Sequence, residues 1–257
     1  LILLRVLQGI SAGGEWGGAV LMAVEHAPKT KRSLFGASPQ LGVPLGLLLA
    51  SGMLGLMAVI APGDAFFAWG WRVPFLLSFV LILVGYYVRK KVEESPVFLE
   101  LAERKEKTRM PIVQLFRKHA LLVIIAAFVF AGNNAVGYRT TGGYTQRYAP
   151  NPDGPLGLAT ADVLGAVTLS AITWLIFTWL GGWLGDKIGR RNTYIIGWLS
   201  MLVAIVALFP LVNSGSIVLL TIGLMLLTVG LGLTYGPQAA LYAELFPASI
   251  RFSGVSI

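Results

Sequence analysis

The chain reads as an all-α integral membrane protein, and three observations predict this. Hydrophobic residues make up 56% of its 257 positions and charged residues only 12%, about half the charged share of a soluble domain. The mean hydropathy is +0.74, so more apolar surface is present than one soluble core of this size encloses. Apolar segments of about 20 residues, the length that crosses a bilayer, recur along the chain. A lipid-facing backbone must satisfy its hydrogen bonds within the segment, which makes each of them a helix. Alternating segments of about ten residues, the mark of a membrane β-barrel, do not occur.

Seven spans are expected, at 1–24, 38–61, 70–89, 119–146, 161–185, 192–212 and 215–243. The first begins at Leu1 with no Met and no basic leader, and an eighth apolar stretch is interrupted at Ile257, so both ends read as cut. Within 1–24, Gly9, Gly13 and Gly17 stand at i, i+4, i+8, a smooth stripe for close helix packing. Arg5, Gln8, Ala12 and Glu15 fall within about 80° of one another on a helical wheel, so they share another face. Ionisable residues inside a span are costly and default to a functional reading. Burial raises the pKa of a carboxyl and a nearby cation lowers it, so Glu15 is a candidate proton carrier and Arg5 its partner or an anion ligand. A fixed interhelical ion pair is the structural alternative for both.

The second span carries Gln40, and Trp16 on the first reads as packing or as a weak site candidate. Between the third and fourth spans, 90–118 holds alternating Glu100, Glu103, Arg104, Lys105, Glu106 and Lys107, a solvated linker or helix. It divides the chain into 1–89 and 119–257. The fourth span contains Asn133, Asn134, Tyr138, Arg139, Thr141 and Tyr144. Asn134, Tyr138 and Thr141 at i, i+4, i+7 would line a cavity together on an α-helix. Tyr235 and Gln238 on the last span are further candidates. His26 and His119 lie in or beside loops and read as surface residues.

Assigning loops to alternate sides places 16 of the 20 Lys and Arg on one side, in 25–37, 89–118, 186–191 and 244–251. The opposite loops hold only Arg147. By the positive-inside rule the basic set is cytoplasmic. The net charge of +8 is thus a topology signal and nucleic acid is excluded as a partner. An internal repeat is also present: Glu25-x-x-Pro28-x-x-x-Arg32 and Glu244-x-x-Pro247-x-x-x-Arg251 share a spacing at an offset of 219, with Gly13 matching Gly232 and Gly17 matching Gly236. Both copies have the same orientation, as expected of halves related by an axis along the membrane normal.

Several stretches resemble the major facilitator superfamily, and within it the metabolite:proton symporters that carry shikimate, oxoglutarate, citrate and proline or betaine. They are Arg5-x-x-Gln8-Gly9 through Gly13-Gly14-Glu15-Trp16-Gly17-Gly18, Glu25-His-Ala-Pro28, Pro39-Gln40-Leu-Gly42-Val-Pro44, Gly70-Trp71-Arg72-Val73-Pro74, Glu94-Ser95-Pro96, Gly185-Asp186-Lys187-Ile188-Gly189-Arg190-Arg191, and Glu244-Leu-Phe-Pro247 with Arg251. The resemblance implies a fold of two six-helix bundles, with helices four to ten and the start of the eleventh present. On it, the seventh helix (119–146) lines a central cavity. Substrate contacts fall to Gln8, Gln40, Asn133, Asn134, Tyr138, Arg139, Tyr235 and Gln238, and proton coupling to Glu15 and Arg5. Glu25, Arg32, Asp186, Arg190, Arg191, Glu244 and Arg251 become a network that latches the cytoplasmic mouth.

The expected function is uptake of a small organic acid or zwitterionic osmolyte with protons, by alternating access in the inner cell membrane. The protein would act as a monomer in the lipid bilayer, with the proton as coupling ion and no cofactor or metal. Rival classes fail on residues. A seven-helix receptor gives no reason for the repeated Glu-x-x-Pro-x-x-x-Arg loops, and every lysine lies in or beside a loop, which leaves none for a retinal Schiff base. No phosphate-binding loop, paired-histidine motif or cysteine supports an ATP-driven pump or a membrane enzyme. An exporter of amphipathic compounds and a proton-independent uniporter of the same fold stay open, and Glu15 discriminates the latter.

Overall fold

A computed structural model describes residues 2–91, 111–151 and 156–256. The charged run at 92–110 and the motif Glu94-Ser95-Pro96 lie outside the described residues, as do the side chains of Arg5 and Gln8. The described residues form helices and turns. They are α1 (Ile2–Glu25), α2 (Arg32–Ile60), α3 (Arg72–Lys91), α4 (Pro111–Asn133), α5 (Thr160–Ile188), α6 (Arg190–Asn213), α7 (Ile217–Leu245) and α8 (Ala248–Ser256). A 3₁₀ turn, Lys29–Lys31, joins α1 to α2. A π-helical turn, Phe66–Gly70, leads into α3. Beyond α4 the chain continues as a π-helix over Asn134–Tyr144 and a last α turn at Thr145–Tyr148.

Six of the helical stretches are long and apolar enough to cross a membrane. The stretch Ile2–Glu25 is equally helical; Arg5, Gln8, Glu15 and its glycines lower its hydropathy. The expected spans are therefore helical, with two starts redrawn: α2 begins at Arg32, six residues before the expected 38, and the fourth also starts early. Helical structure begins at Pro111, eight residues before the expected start at 119, and His119 breaks it with φ −133° and ψ 24°. Prolines 39 and 44 in α2, 210 in α6 and 237 in α7 sit inside helices, where neighbouring helices make good the lost backbone bonds.

Packing is organised around α7, which is buried along most of its length. On one side Leu220, Leu224, Leu227 and Leu231 join Trp174 of α5 and Met201 and Leu208 of α6. Toward its other end Ala239, Tyr242 and Phe246 join Val20 and Val24 of α1, Val123 of α4 and Ile250 of α8. Such contacts need close approach. A Cβ on Gly232 would stand 2.7 Å from the backbone nitrogen of Thr178, and one on Gly230 2.6 Å from that of Met201. Gly236 meets the backbone of Gly182 in the same way, while its repeat counterpart Gly17 faces Ser256 of α8. By contrast α3 exposes Phe75, Phe79, Leu81, Ile82 and Tyr86 along its length.

Candidate functional site

Two polar constellations lie on this scaffold. The first is at the basic ends of the helices. Gly189, at φ +94°, makes the turn between α5 and α6, a left-handed conformation that a side chain resists. Asp186 therefore ends α5 as Arg190 and Arg191 begin α6. The two carboxylate oxygens of Asp186 accept the backbone N–H groups of Ser33 and Leu34, each at 2.9 Å. Both amides belong to the first turn of α2, whose donors have no partner within the helix and whose dipole is positive. A carboxylate on α5 thus caps a helix from the other side of the 92–110 stretch.

Around this cap, Arg190 pairs with Glu244 at the end of α7. Arg251 of α8 reaches Glu25 Oε1 from Nη1 at 3.2 Å and donates from Nε to the carbonyl of Phe246, also at 3.2 Å. Arg191 lines the same cleft of ≈ 370 Å³ with Lys29, Asp186, Arg190 and Glu244. Arg32 opens α2, and its Nε is buried with no hydrogen-bond partner among the described residues. The seven residues grouped by the sequence as a mouth network therefore gather at one end of the molecule.

The second constellation is buried between α1, α2, α4 and α7. Trp16 Nε1 donates to Gln40 Oε1 at 2.8 Å, and Gln40 Nε2 lies 3.5 Å from the Tyr235 carbonyl. The Thr234 hydroxyl donates to Asn133 Oδ1 at 2.9 Å, and Asn133 Nδ2 faces Gln238 Oε1 at 3.4 Å. Gln40, Asn133, Thr234 and Gln238 are fully buried. The Tyr235 side chain lies beside Asn134 and stands edge-on to Trp174, ring centroids 5.1 Å apart; Tyr138 packs against the same indole at 6.0 Å. Two donors in this cluster, Gln238 Nε2 and Trp174 Nε1, are buried without an acceptor among the described residues. Buried unsatisfied donors are uncommon in folded proteins and mark places where something else is accommodated.

Gln40, Asn133, Asn134, Tyr235 and Gln238 thus meet, with Tyr138 at the edge. The expected shared face of Asn134, Tyr138 and Thr141 is corrected. In a π-helix the i→i+5 bonding widens each turn by about one residue, so Thr141 turns away and is buried with its hydroxyl on the Gly137 carbonyl. Arg139 is also set apart: it is exposed and lines a pocket with Tyr144 and Arg147. Glu15 is an exposed residue of α1, next to the Trp16 that reaches Gln40. Residue type alone missed Ser33 and Leu34, which act through backbone amides, and Thr234 and Trp174, common in any membrane helix.

Bilayer-length helices joined on one side by basic loops, with a polar cluster buried between them, define a multi-pass membrane protein. The chain belongs to the Major Facilitator Superfamily, whose model matches residues 1–257; this is a family of transporters, not enzymes. It is 40% identical over 258 residues to a protein of Escherichia coli (strain K12) called Inner membrane metabolite transport protein YhjE, covering all of this chain and 58% of that one. The Shikimate transporter of the same organism is 33% identical over 262 residues, with 58% of it covered. The Glycine betaine/proline/ectoine/pipecolic acid transporter OusA of Dickeya dadantii (strain 3937) is 32% identical over 268 residues, with 52% covered. In each case the whole of this chain is matched, and it spans somewhat more than half of the relative's length.

Proposed function

We propose that the chain forms the greater part of a secondary active transporter that takes up a small polar metabolite with protons by alternating access. The observation that carries this reading is the Asp186 cap on α2. It ties a helix from 1–89 to one from 119–257, and with Arg251–Glu25 it holds the basic mouth shut. On this reading 1–89 belongs to one bundle and 119–257 to the other, and 90–118 links them on the cytoplasmic side. Breaking a few such contacts changes a two-state equilibrium whose gap is a few kcal/mol. The polar cluster, with unmatched donors on Gln238 and Trp174, is then the substrate site, alternately open to either side.

Support for the substrate class comes from the relatives. Shikimate, betaine and proline are small solutes, each bearing a carboxylate, and two unmatched donors suit such an acceptor. Proton coupling rests on Glu15, the carboxyl within α1. A uniporter of the same fold needs no titratable group there. The test is solute counterflow and pH-driven uptake with the full-length protein in proteoliposomes. Glu15→Gln is expected to keep exchange at near the parent rate while losing accumulation against a gradient. Accumulation that survives the substitution removes Glu15 from the coupling step.

A further inference from the structure

The end of the molecule opposite the basic mouth carries two arginines that neither constellation uses. Arg139 and Arg147 are both exposed and line one open pocket of ≈ 420 Å³ with Gly143, Tyr144 and Tyr148. Among the described residues neither forms a salt bridge. Their placement runs against the rest of the charge, since 16 of the 20 Lys and Arg lie toward the other side. The helical stretch Ile112–Tyr148 has 37 residues, well beyond the roughly 20 that cross a bilayer, so Arg147 lies at the membrane surface and Arg139 about two turns deeper. An unpaired guanidinium at that depth is not stable against lipid and requires water or an anion.

The pocket is also built. Tyr144 and Tyr148 stack at 5.1 Å with their planes 15° apart, forming an aromatic wall of the pocket that the two arginines also line. The Tyr148 hydroxyl donates to Asn213 Oδ1 at 3.0 Å, and the Tyr144 ring meets Phe209 at 6.1 Å, so α6 fixes the wall. At Gly143 a Cβ would project into open space; its absence leaves the groove between the arginines unobstructed. On the inner side, Tyr138, the neighbour of Arg139, packs on Trp174, which in turn touches Tyr235. A run of aromatic contacts thus connects the neighbour of Arg139 to the buried cluster.

We propose that Arg139 and Arg147 form an anion-capture site at the mouth opposite the basic one, and that the transported solute is an organic anion, not a zwitterion. Guanidinium groups bind carboxylates through paired N–H donors, and an unpaired set at a mouth raises the local concentration of anions in a salt-dependent way. This inference rests on the uptake reading above. A phospholipid phosphate is the other anion available there, and the experiment separates the two sources.

The full-length protein is reconstituted and uptake is measured for mono-, di- and tricarboxylates, glycine betaine and an uncharged polyol. Transport of a carboxylate with a KM that rises with ionic strength is expected. Arg147→Gln should raise that KM on the order of tenfold at low salt, leave kcat within about twofold and abolish the salt dependence, and Arg147→Lys should restore most of it. Arg139→Gln should act in the same direction. Glycine betaine as the sole transported solute overturns the proposal, and so does a KM that Arg147→Gln leaves unchanged. A loss that is equal for charged and uncharged solutes and follows the anionic lipid content of the vesicles assigns the arginines to lipid and overturns it too. If no solute accumulates at all, the uptake reading fails and the capture site with it.

Discussion

At the scale of single residues, Asp186 carries more of the mouth than its exposure suggests, because its two oxygens each accept an amide of α2 at 2.9 Å. A charge at a helix N-terminus is worth about 0.3–1 kcal/mol, up to about 2 when partly buried. Asp186→Asn keeps the size and one acceptor but removes the charge and the second acceptor. In a full-length background without cysteine, a single cysteine at Leu241, which lines the cleft, should then react about three- to tenfold faster with a soluble maleimide, the open fraction that about 1 kcal/mol yields. An unchanged rate means that the cap does not hold the mouth. The residue scale is also where the sequence is most legible and least complete. Charged and amide side chains inside spans announce themselves by their cost in lipid, and Gln40, Asn133, Asn134, Tyr235 and Gln238 do converge. Ser33 and Leu34 do not announce themselves, since what they contribute is an unpaired N–H that depends on where α2 begins.

At the scale of elements, helix–helix distance decides the architecture, and glycine sets that distance. The α7 helix approaches α5 at Gly232 and Gly236 and approaches α6 at Gly230. The glycine pairs that match across the repeat were legible as a pattern, but which neighbour each would meet was not, because a stripe of small residues does not name its partner. Gly236→Val places branched methyls against the backbone of Gly182, and overpacking of this kind costs typically 1–3 kcal/mol. It should shorten the half-life of the detergent-solubilised protein at elevated temperature and lower uptake in parallel. Gly165→Ala, whose Cβ meets nothing within 4 Å, serves as the control and should leave the half-life at or above that of the parent. Equal behaviour of the two variants excludes close packing at Gly236. The π-helix over Asn134–Tyr144 marks the other limit of legibility. The order of polar and apolar residues there fits α spacing, and the wider turn that rotates Thr141 away leaves no trace in it.

At the scale of the whole molecule, the repeat makes a prediction that the structure only half obeys. Exchanging the two copies turns the pair Glu25–Arg251 into Glu244–Arg32. The first pair is formed, at 3.2 Å, whereas Glu244 pairs with Arg190 and Arg32 Nε is buried without an acceptor among the described residues. The reason lies in the α5–α6 turn, which brings Arg190 beside Glu244 on a rigid helix start, while Asp186 occupies the adjoining first turn of α2 that Arg32 opens. On the proposed mechanism, each half of the mouth would therefore be latched by a different bond. Glu25–Arg251 joins α1 to α8 across the linker, and Arg190–Glu244 joins α6 to α7 within 119–257. On the proposed alternating access, only the first of these two pairs would have to break as 1–89 moves against 119–257. Glu25→Arg and Arg251→Glu should each raise labelling of the Leu241 cysteine several-fold, for a partly screened pair worth about 1 kcal/mol. The double exchange should return labelling toward the parent value, because the opposite charges again face one another. Glu244→Gln and Arg190→Gln should instead lower thermal stability without that rescue pattern and should not add to one another. Labelling in the exchanged double variant that equals the sum of the two single changes means that the Glu25–Arg251 bond does not latch the mouth.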